Sequence, residues 1–249
     1  MSADRVVVKH GDVRAEAAGL AWLVVPGGPP VVPVLEVHPD RLVLARLDEV
    51  GADPAAAERF GRQLAYLHAA GAPAFGAPPP GGPAEATIGR APMRNEPAPA
   101  WPQWYVRDRV LPYLRAARDA GSIGAADTAA VEQVCERIAE LAGPPEPPAR
   151  LHGDLWSGNV LWTAEGGTLI DPAAHGGHRE TDLAMLALFG FPYLDAVLRA
   201  YHETTPLADG WRERVPLHQL FPLLVHAVLF GAGYGRQAGA AARTVLATA

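Results

Sequence analysis

Apolar and polar positions alternate or recur in runs that predict a short strand-rich start and a long helical remainder. Residues 5–9, Arg-Val-Val-Val-Lys, are a β-branched run and read as a strand. Over residues 13–23, Val13, Ala17, Leu20 and Leu23 fall near one helical face, with Glu16 in the first turns. A Pro-Gly turn at 26–30 precedes two more strands, 31–37 and 41–47, joined at His38-Pro39-Asp40. Residues 54–70 read as a helix opened by Pro54, with Phe60, Leu64 and Leu67 inward and His68 as a structural residue. The proline- and glycine-rich stretch 71–100 reads as an ordered surface loop. Trp101, Trp104, Tyr105, Val110 and Leu114 open an aromatic-rich helix that packs as core. A second helix covers 125–142, and Pro-rich 143–148 stops it. From Glu180 onward the chain is helical, and 215–238, with Phe221, Val225, Phe230 and Tyr234, reads as a buried helix.

Between these helices, residues 150–182 carry the chemistry. His152, Asp154 and Asn159 form H-x-D-x-x-x-x-N, and Asp171 follows the short apolar strand Thr168-Leu169-Ile170. This is the layout of a kinase catalytic loop followed by a metal-binding aspartate. Phosphoryl transfer needs a carboxylate beside the attacking hydroxyl, the place of Asp154. It also needs hard oxygen ligands for Mg2+, the place of Asn159 and Asp171. The same residues are also turn formers, so the pattern gains weight from its partners upstream. Lys9 ends a strand and Glu16 sits on the following helix, the arrangement that sets a kinase lysine on nucleotide phosphates.

Composition narrows the partners. The 249 residues suffice for one or two domains, and the net charge of -6 argues against nucleic acid or anionic membrane. The start is too polar for a signal peptide, and no run of about twenty apolar residues could span a bilayer. The lone Cys135 has no internal partner, so a cytoplasmic location is expected, with Cys135 as a small core residue. Of 21 basic residues only Lys9 is lysine. A forked guanidinium cannot replace a compact ammonium touching two phosphates, so this exception points to function. Gly233-Tyr234-Gly235 with Ala238 matches G-x-G-x-x-A, but it falls in a helix and not in a βαβ unit. His175 and His178 have metal-like spacing without a nearby cysteine, which does not make a zinc site.

The string HGDLWSGN at 152–159, then IDPAAHGGHRETDLAMLALFG at 170–190, resembles the fructosamine kinase (ketosamine 3-kinase) family. That resemblance extends more loosely from Lys9 to about Tyr234. It implies an α/β (α+β) fold of the protein-kinase type shared with aminoglycoside phosphotransferases. A small β-rich N-terminal lobe would cover 1–47 and a helical lobe 48–249. The catalytic loop would be 150–160 and the metal-binding segment 168–182. The backbone of Leu44, Ala45, Arg46 and Leu47 would be the hinge that holds adenine. Trp156 would border the sugar, His178 and Glu180 would line or brace the acceptor side, and Asp182 would bind catalytic-loop amides. His152 would hold the loop. The implied reaction uses ATP and Mg2+ to phosphorylate the sugar 3-hydroxyl of fructosamine or ribulosamine adducts, free or on proteins. A nucleotide-binding module without turnover and a kinase for another small alcohol remain as alternatives.

The sequence departs from the family before Lys9. Relatives carry two strands and a Gly-containing loop there, whereas eight residues without glycine precede Lys9. Such a hairpin needs roughly fifteen residues, given strands of about five to six. A start set too far downstream and a real loss both explain this. In either case the chain as written is expected to bind ATP weakly and to turn over slowly or undetectably. The open sheet edge invites pairing with a second copy, so a homodimer is also expected.

Overall fold

The computed structural model describes residues 5–248; residues 1–4, where the expected N-terminal lobe begins, and residue 249 lie outside it. The strand-rich start forms one antiparallel sheet in the order β1-β3-β2, from β1 (Val6–His10), β2 (Val34–Val37) and β3 (Arg41–Ala45). Helix α1 (Arg14–Leu23) joins β1 to β2. The predicted strands shorten: β3 stops at Ala45, and Val31 makes only an isolated bridge to Leu169. Val13, Leu20, Val32, Leu42 and Leu44 close a small core beneath this sheet. Burial of each such side chain contributes roughly 1.5–3 kcal/mol, so the sheet has a hydrophobic reason to stay on α1.

Helix α2 (Pro54–Ala69) begins where Asp53 accepts a hydrogen bond from Ala56 N, with Pro54 in the first turn. Its Phe60, Leu64 and Leu67 join Leu155, Val160 and Tyr201 in a second core. The stretch after α2 is not a plain surface loop. It contains a hairpin, β4 (Glu85–Ile88) paired with β5 (Ala91–Arg94), and Ile88, Met93 and Asn95 are buried. The alternation of apolar and polar residues in the hairpin was hidden among prolines.

The aromatic helix runs as α3 (Trp101–Trp104), a π-turn at Tyr105–Val110, and α4 (Leu111–Asp119). Helices α5 (Ala125–Glu136) and α6 (Ile138–Leu141) follow. Short strands β6 (Ala149–Leu151), β7 (Val160–Thr163), β8 (Gly166–Leu169) and β9 (His175–Gly177) frame the catalytic segment, with β6 paired to β9 and β7 to β8. All five of these strand pairs are antiparallel. Helices α7 (Arg179–Leu188), α8 (Leu194–Thr204), α9 (Trp211–Phe230) and α10 (Ala232–Ala247) complete the helical part. The single buried helix expected at 215–238 is two helices broken at Gly231, and Phe230 at the break is exposed. Gly233 and Gly235 lie on α10 with no strand before them, so the dinucleotide pattern has no structural basis. Among the described residues no helix is long and apolar enough to cross a membrane.

Candidate active site

The loop at 150–160 is pinned by side chains of opposite preference. Leu155 is fully buried in the core, while its neighbour Trp156 is 38% exposed. Gly153 has φ 83°, and a Cβ there would meet Ala173 O at 2.1 Å, so only glycine fits. Gly158 is needed for another reason. A Cβ there would fall 2.3 Å from the Trp156 ring, which lies folded over it.

Asp182 at the start of α7 accepts from His152 N (2.7 Å) and Gly153 N (3.0 Å), as expected of a loop anchor. His68 Nε2 lies 3.2 Å from the same carboxylate and its Nδ1 2.8 Å from the Tyr201 hydroxyl, so its ring is satisfied. Burial alone would raise the Asp182 pKa, but His68 and the backbone donors outweigh it and hold the carboxyl low. The buried His152 ring bridges the two halves of the motif. Its Nε2 lies 2.9 Å from Ile170 O, and its Nδ1 accepts from Asp154 N at 3.2 Å. The loop and the residue before Asp171 therefore move as one.

Asn159 donates through Nδ2 to Asp154 Oδ2 (3.0 Å) and to Asp154 O (2.8 Å). This fixes the amide so that its Oδ1 remains as an acceptor. Asp171 follows β8 with φ 54°, a left-handed conformation that aspartate tolerates better than most residues. Lys9 Nζ donates to Glu16 Oε1 at 2.6 Å and also to Asp171 Oδ1. With Lys9 on Asp171 Oδ1 and the Asn159 amide turned by its Nδ2 bonds, Asp171 Oδ2 and Asn159 Oδ1 are an oxygen-only donor set that fits a magnesium ion keeping several waters.

The charges are tuned by burial. Burial pushes the Asp154 carboxyl above its ordinary value, against His152 and the Asn159 amide, which pull it down. Burial alone would lower Lys9, but its hydrogen bonds to Asp171 and Glu16 outweigh that and raise it. Glu16 is raised because burial, with help from Asp171, exceeds the pull of Lys9. Lys9 gains two partners, whereas Glu16 gains one and loses water.

Two cavities meet at this ion pair. One, of about 320 Å³, is a cleft lined by Asp154, Trp156, Asn159, Lys9 and Asp171, with the β4–β5 hairpin opposite. The other, of about 250 Å³, is lined by Val32, Leu44, Leu47, Leu161 and Ile170, and again by Lys9 and Asp171. The hinge expectation needs one correction. Ala45 N donates to Pro33 O and Arg46 N to Arg5 O, both at 2.9 Å, so neither N–H is free for a base. The strand ladder claims them first, and Leu47 lines the wall of this second cavity.

His178 and Glu180 also require correction as substrate residues. Both are buried, and neither lines the cleft. His178 caps α7, its Nδ1 accepting from Glu180 N at 3.3 Å. Glu180 takes Arg214 in a two-pronged pair at 2.9 and 2.6 Å. Its Oε2 lies 3.2 Å from His218 Nε2, off the line of a good hydrogen bond. His178, Glu180 and His218 cluster closely enough for a metal, but Arg214 occupies both carboxylate oxygens. A cation there would displace the guanidinium. His175 is held separately, Nδ1 to Ala173 O at 2.9 Å. The role these residues fill is bracing α7 and, through it, Asp182.

Two features around Trp156 were not assigned from the sequence. One is the hairpin wall of the cleft, with Thr87, Gly89 and Met93. The other, outside the cleft lining, is the group of rings at Phe189, His226, Phe230 and Tyr234, beyond Trp156. Its signal was visible as aromatics at helical spacing, which more often mean core.

A model of the fructosamine kinase family matches residues 14–248. The probable ketoamine kinase of Synechocystis sp. is 39% identical over 185 residues, covering 72% of this chain and 59% of that protein. The chain thus spans about three fifths of that relative's length. A crystal structure of a candidate fructosamine-3-kinase from Thermobifida fusca superposes with a TM-score of 0.92 at 52% identity, over 97% of this chain and 85% of that one. A choline/ethanolamine kinase family protein from Mesorhizobium loti, at 16% identity, shares the fold alone, with a TM-score of 0.63 over 98% of this chain and 83% of that one. With nearly all of its length matched, the chain belongs to the fructosamine kinase family and has its protein-kinase-like fold.

Proposed function

We propose that this chain transfers the γ-phosphoryl group of ATP to the 3-hydroxyl of a ketosamine, with Asp154 as the base and Asn159 and Asp171 as magnesium ligands. The observation that carries this reading is the meeting of an apolar cavity and an acidic cleft at Lys9 and Asp171, with Asp154 in the cleft alone. The apolar cavity suits a planar base, and Lys9 stands where the phosphates would emerge. The substrate hydroxyl enters from the other side beside Asp154. Its oxygen bonds to the γ-phosphorus as the bond to the β-phosphate oxygen breaks, ADP leaves, and Asp154 takes the proton. Bound magnesium supplies charge neutralisation at the phosphates. The work of Asp154 is orientation as much as basicity, since phosphoryl transfer leaves a protein mainly positioning and charge stabilisation.

Lys9→Arg tests the phosphate contact. The guanidinium keeps the charge, but it cannot occupy the point between Glu16 Oε1 and Asp171 Oδ1. We expect kcat/KM to fall about a hundredfold, the cost of an ångström-scale misplacement. Activity within threefold of the parent would contradict the assignment.

The pH profile tests the base. Asp154 acts deprotonated and burial raises its pKa. Activity is therefore present above that pKa and lost as pH falls through it. We expect the acid limb of kcat/KM above the ordinary aspartate value of about 3.9. A limb at or below that value would mean another group controls the reaction.

The direct test is ADP release from ATP and Mg2+ with a panel of glycated lysines and simple alcohols. Release dependent on the glycated lysines supports the reading. Nucleotide binding without release on any of them would contradict it.

A further inference from the structure

Phe230 ends α9 with 63% of its surface exposed. It is the outer member of a continuous band of rings. Phe230 lies 5.3 Å from His226 and 6.1 Å from Tyr234, centroid to centroid. Phe189, just past α7, lies 4.8 Å from His226 and 6.3 Å from Tyr234. Phe189 in turn meets Trp156 edge-on at 6.2 Å. The band starts on the catalytic loop, two residues after Asp154, and ends in solvent.

Its placement at the cleft rests on separate contacts. Trp156 and Gly89 both line the cleft, Gly89 from the hairpin side. A Cβ on Gly89 would touch Leu229, the residue before Phe230, at 3.4 Å. His226 reaches the loop through Phe189, which packs against both it and Trp156. The end of α9 therefore sits between the hairpin and the catalytic loop. Trp156 and Phe230 are exposed and the rings between them half-buried; a single exposed apolar residue is ordinary, but a run of touching rings open to solvent at both ends beside a cleft suits a binding surface.

Charge says what it binds. The cleft is lined by four carboxylates, Asp12, Glu16, Asp154 and Asp171, and one base, Lys9. The Lys9 charge is already shared between Glu16 and Asp171. Aromatic faces carry negative potential and attract cations. A ketosamine presents a secondary amine, protonated at neutral pH, with the carbon chain of the parent amine beyond it.

We propose that the band formed by Phe189, His226, Phe230 and Tyr234, entered past Trp156, is the subsite for the amine-bearing part of the substrate. This rests on the ketosamine reading above. The sugar hydroxyl stands at Asp154, the ammonium lies over the ring faces, and the alkyl chain runs out along Phe230. The enzyme thereby selects an aminated sugar over the free ketose, and phosphate goes where an amine has been modified.

The test is equilibrium binding at pH 8, where imidazole is neutral. Three ligands are compared: fructosyl-lysine, an isostere with ether oxygen in place of the amine, and 1-deoxyfructose, which has no chain. Phe230→Ala should weaken fructosyl-lysine about tenfold and 1-deoxyfructose less than twofold. Phe189→Leu, which keeps apolar bulk but removes the ring face nearest Trp156, should narrow the preference for the amine over the ether ligand, whereas Phe230→Leu, beside the alkyl chain, should leave that preference within twofold. Unchanged binding of fructosyl-lysine by Phe230→Ala, or equal weakening of all three ligands, would overturn the proposal. Circular dichroism confirms that each variant is folded. Because binding is read without turnover, a parent protein that binds fructosyl-lysine but transfers no phosphate defeats the proposed reaction, and the affinity ratios still decide this subsite. A parent protein that binds no ketosamine defeats both.

Discussion

Asp154→Asn is expected to lower kcat by about 100- to 10,000-fold, the range for removing a positioned general base. The substitution is nearly isosteric and the loop should keep its shape. Asn159 still has the backbone carbonyl of residue 154 as an acceptor at 2.8 Å, and an amide oxygen can replace the lost carboxylate oxygen. His152 keeps its bond to the residue 154 amide. Lys9, Glu16 and the apolar cavity are untouched, so nucleotide affinity should stay within about threefold; proximity of reactants is retained and only the base is lost. Turnover is measured by ADP release and nucleotide affinity by titration. Near-parental turnover in Asp154→Asn would show that the base lies elsewhere. Loss of nucleotide binding would show that Asp154 holds the nucleotide and not the acceptor.

Arg214→Met is expected to destabilise the fold by about 3–5 kcal/mol, the cost of leaving a buried charge without its partner. Glu180 is almost fully buried, and both its oxygens are taken by Arg214. Burial would raise its pKa, but His218 and Arg214 outweigh that and bring it down to about 2. The sign of the pH effect follows. A carboxylate held below its unfolded value of about 4.3 contributes stability above that value, and the contribution is lost as pH falls through the folded pKa. The gap between parent and Arg214→Met should therefore be full at pH 7 and narrow between about pH 4 and pH 2. Denaturant unfolding at a series of pH values measures it. A gap that does not change over that range would mean Arg214 acts by packing alone.

How much of this was legible in the sequence depended on whether a residue's role was local. That Asp154, Asn159 and Asp171 share one cleft was legible because their spacing is set by one short loop and one strand. That Lys9 and Glu16 pair was legible because a strand end and the first turn of the next helix are close in space by construction. Asp182 was readable as a helix start, and its bonds to His152 N and Gly153 N follow from that position. His178 and Glu180 were misplaced because direction was invisible. They lie at the head of the same helix, but α7 turns them toward Arg214 and His218 on α9, 34 and 38 residues beyond Glu180. The hinge amides of Ala45 and Arg46 were misread because their partners, Pro33 O and Arg5 O, depend on strand register, which a sequence fixes only loosely. The hairpin at 85–94 was obscured by prolines that favour a loop reading. Phe230 was taken as core because helical spacing does not say where a helix breaks, and the break at Gly231 turns it outward.

The measurement that bears most directly on the account is phosphorus–proton correlation NMR of fructosyl-lysine after incubation with the chain, ATP and Mg2+. A phosphate ester on the 3-oxygen of the sugar is expected, formed by the parent and absent with Asp154→Asn. A phosphate on another oxygen, or equal product from Asp154→Asn, would contradict it.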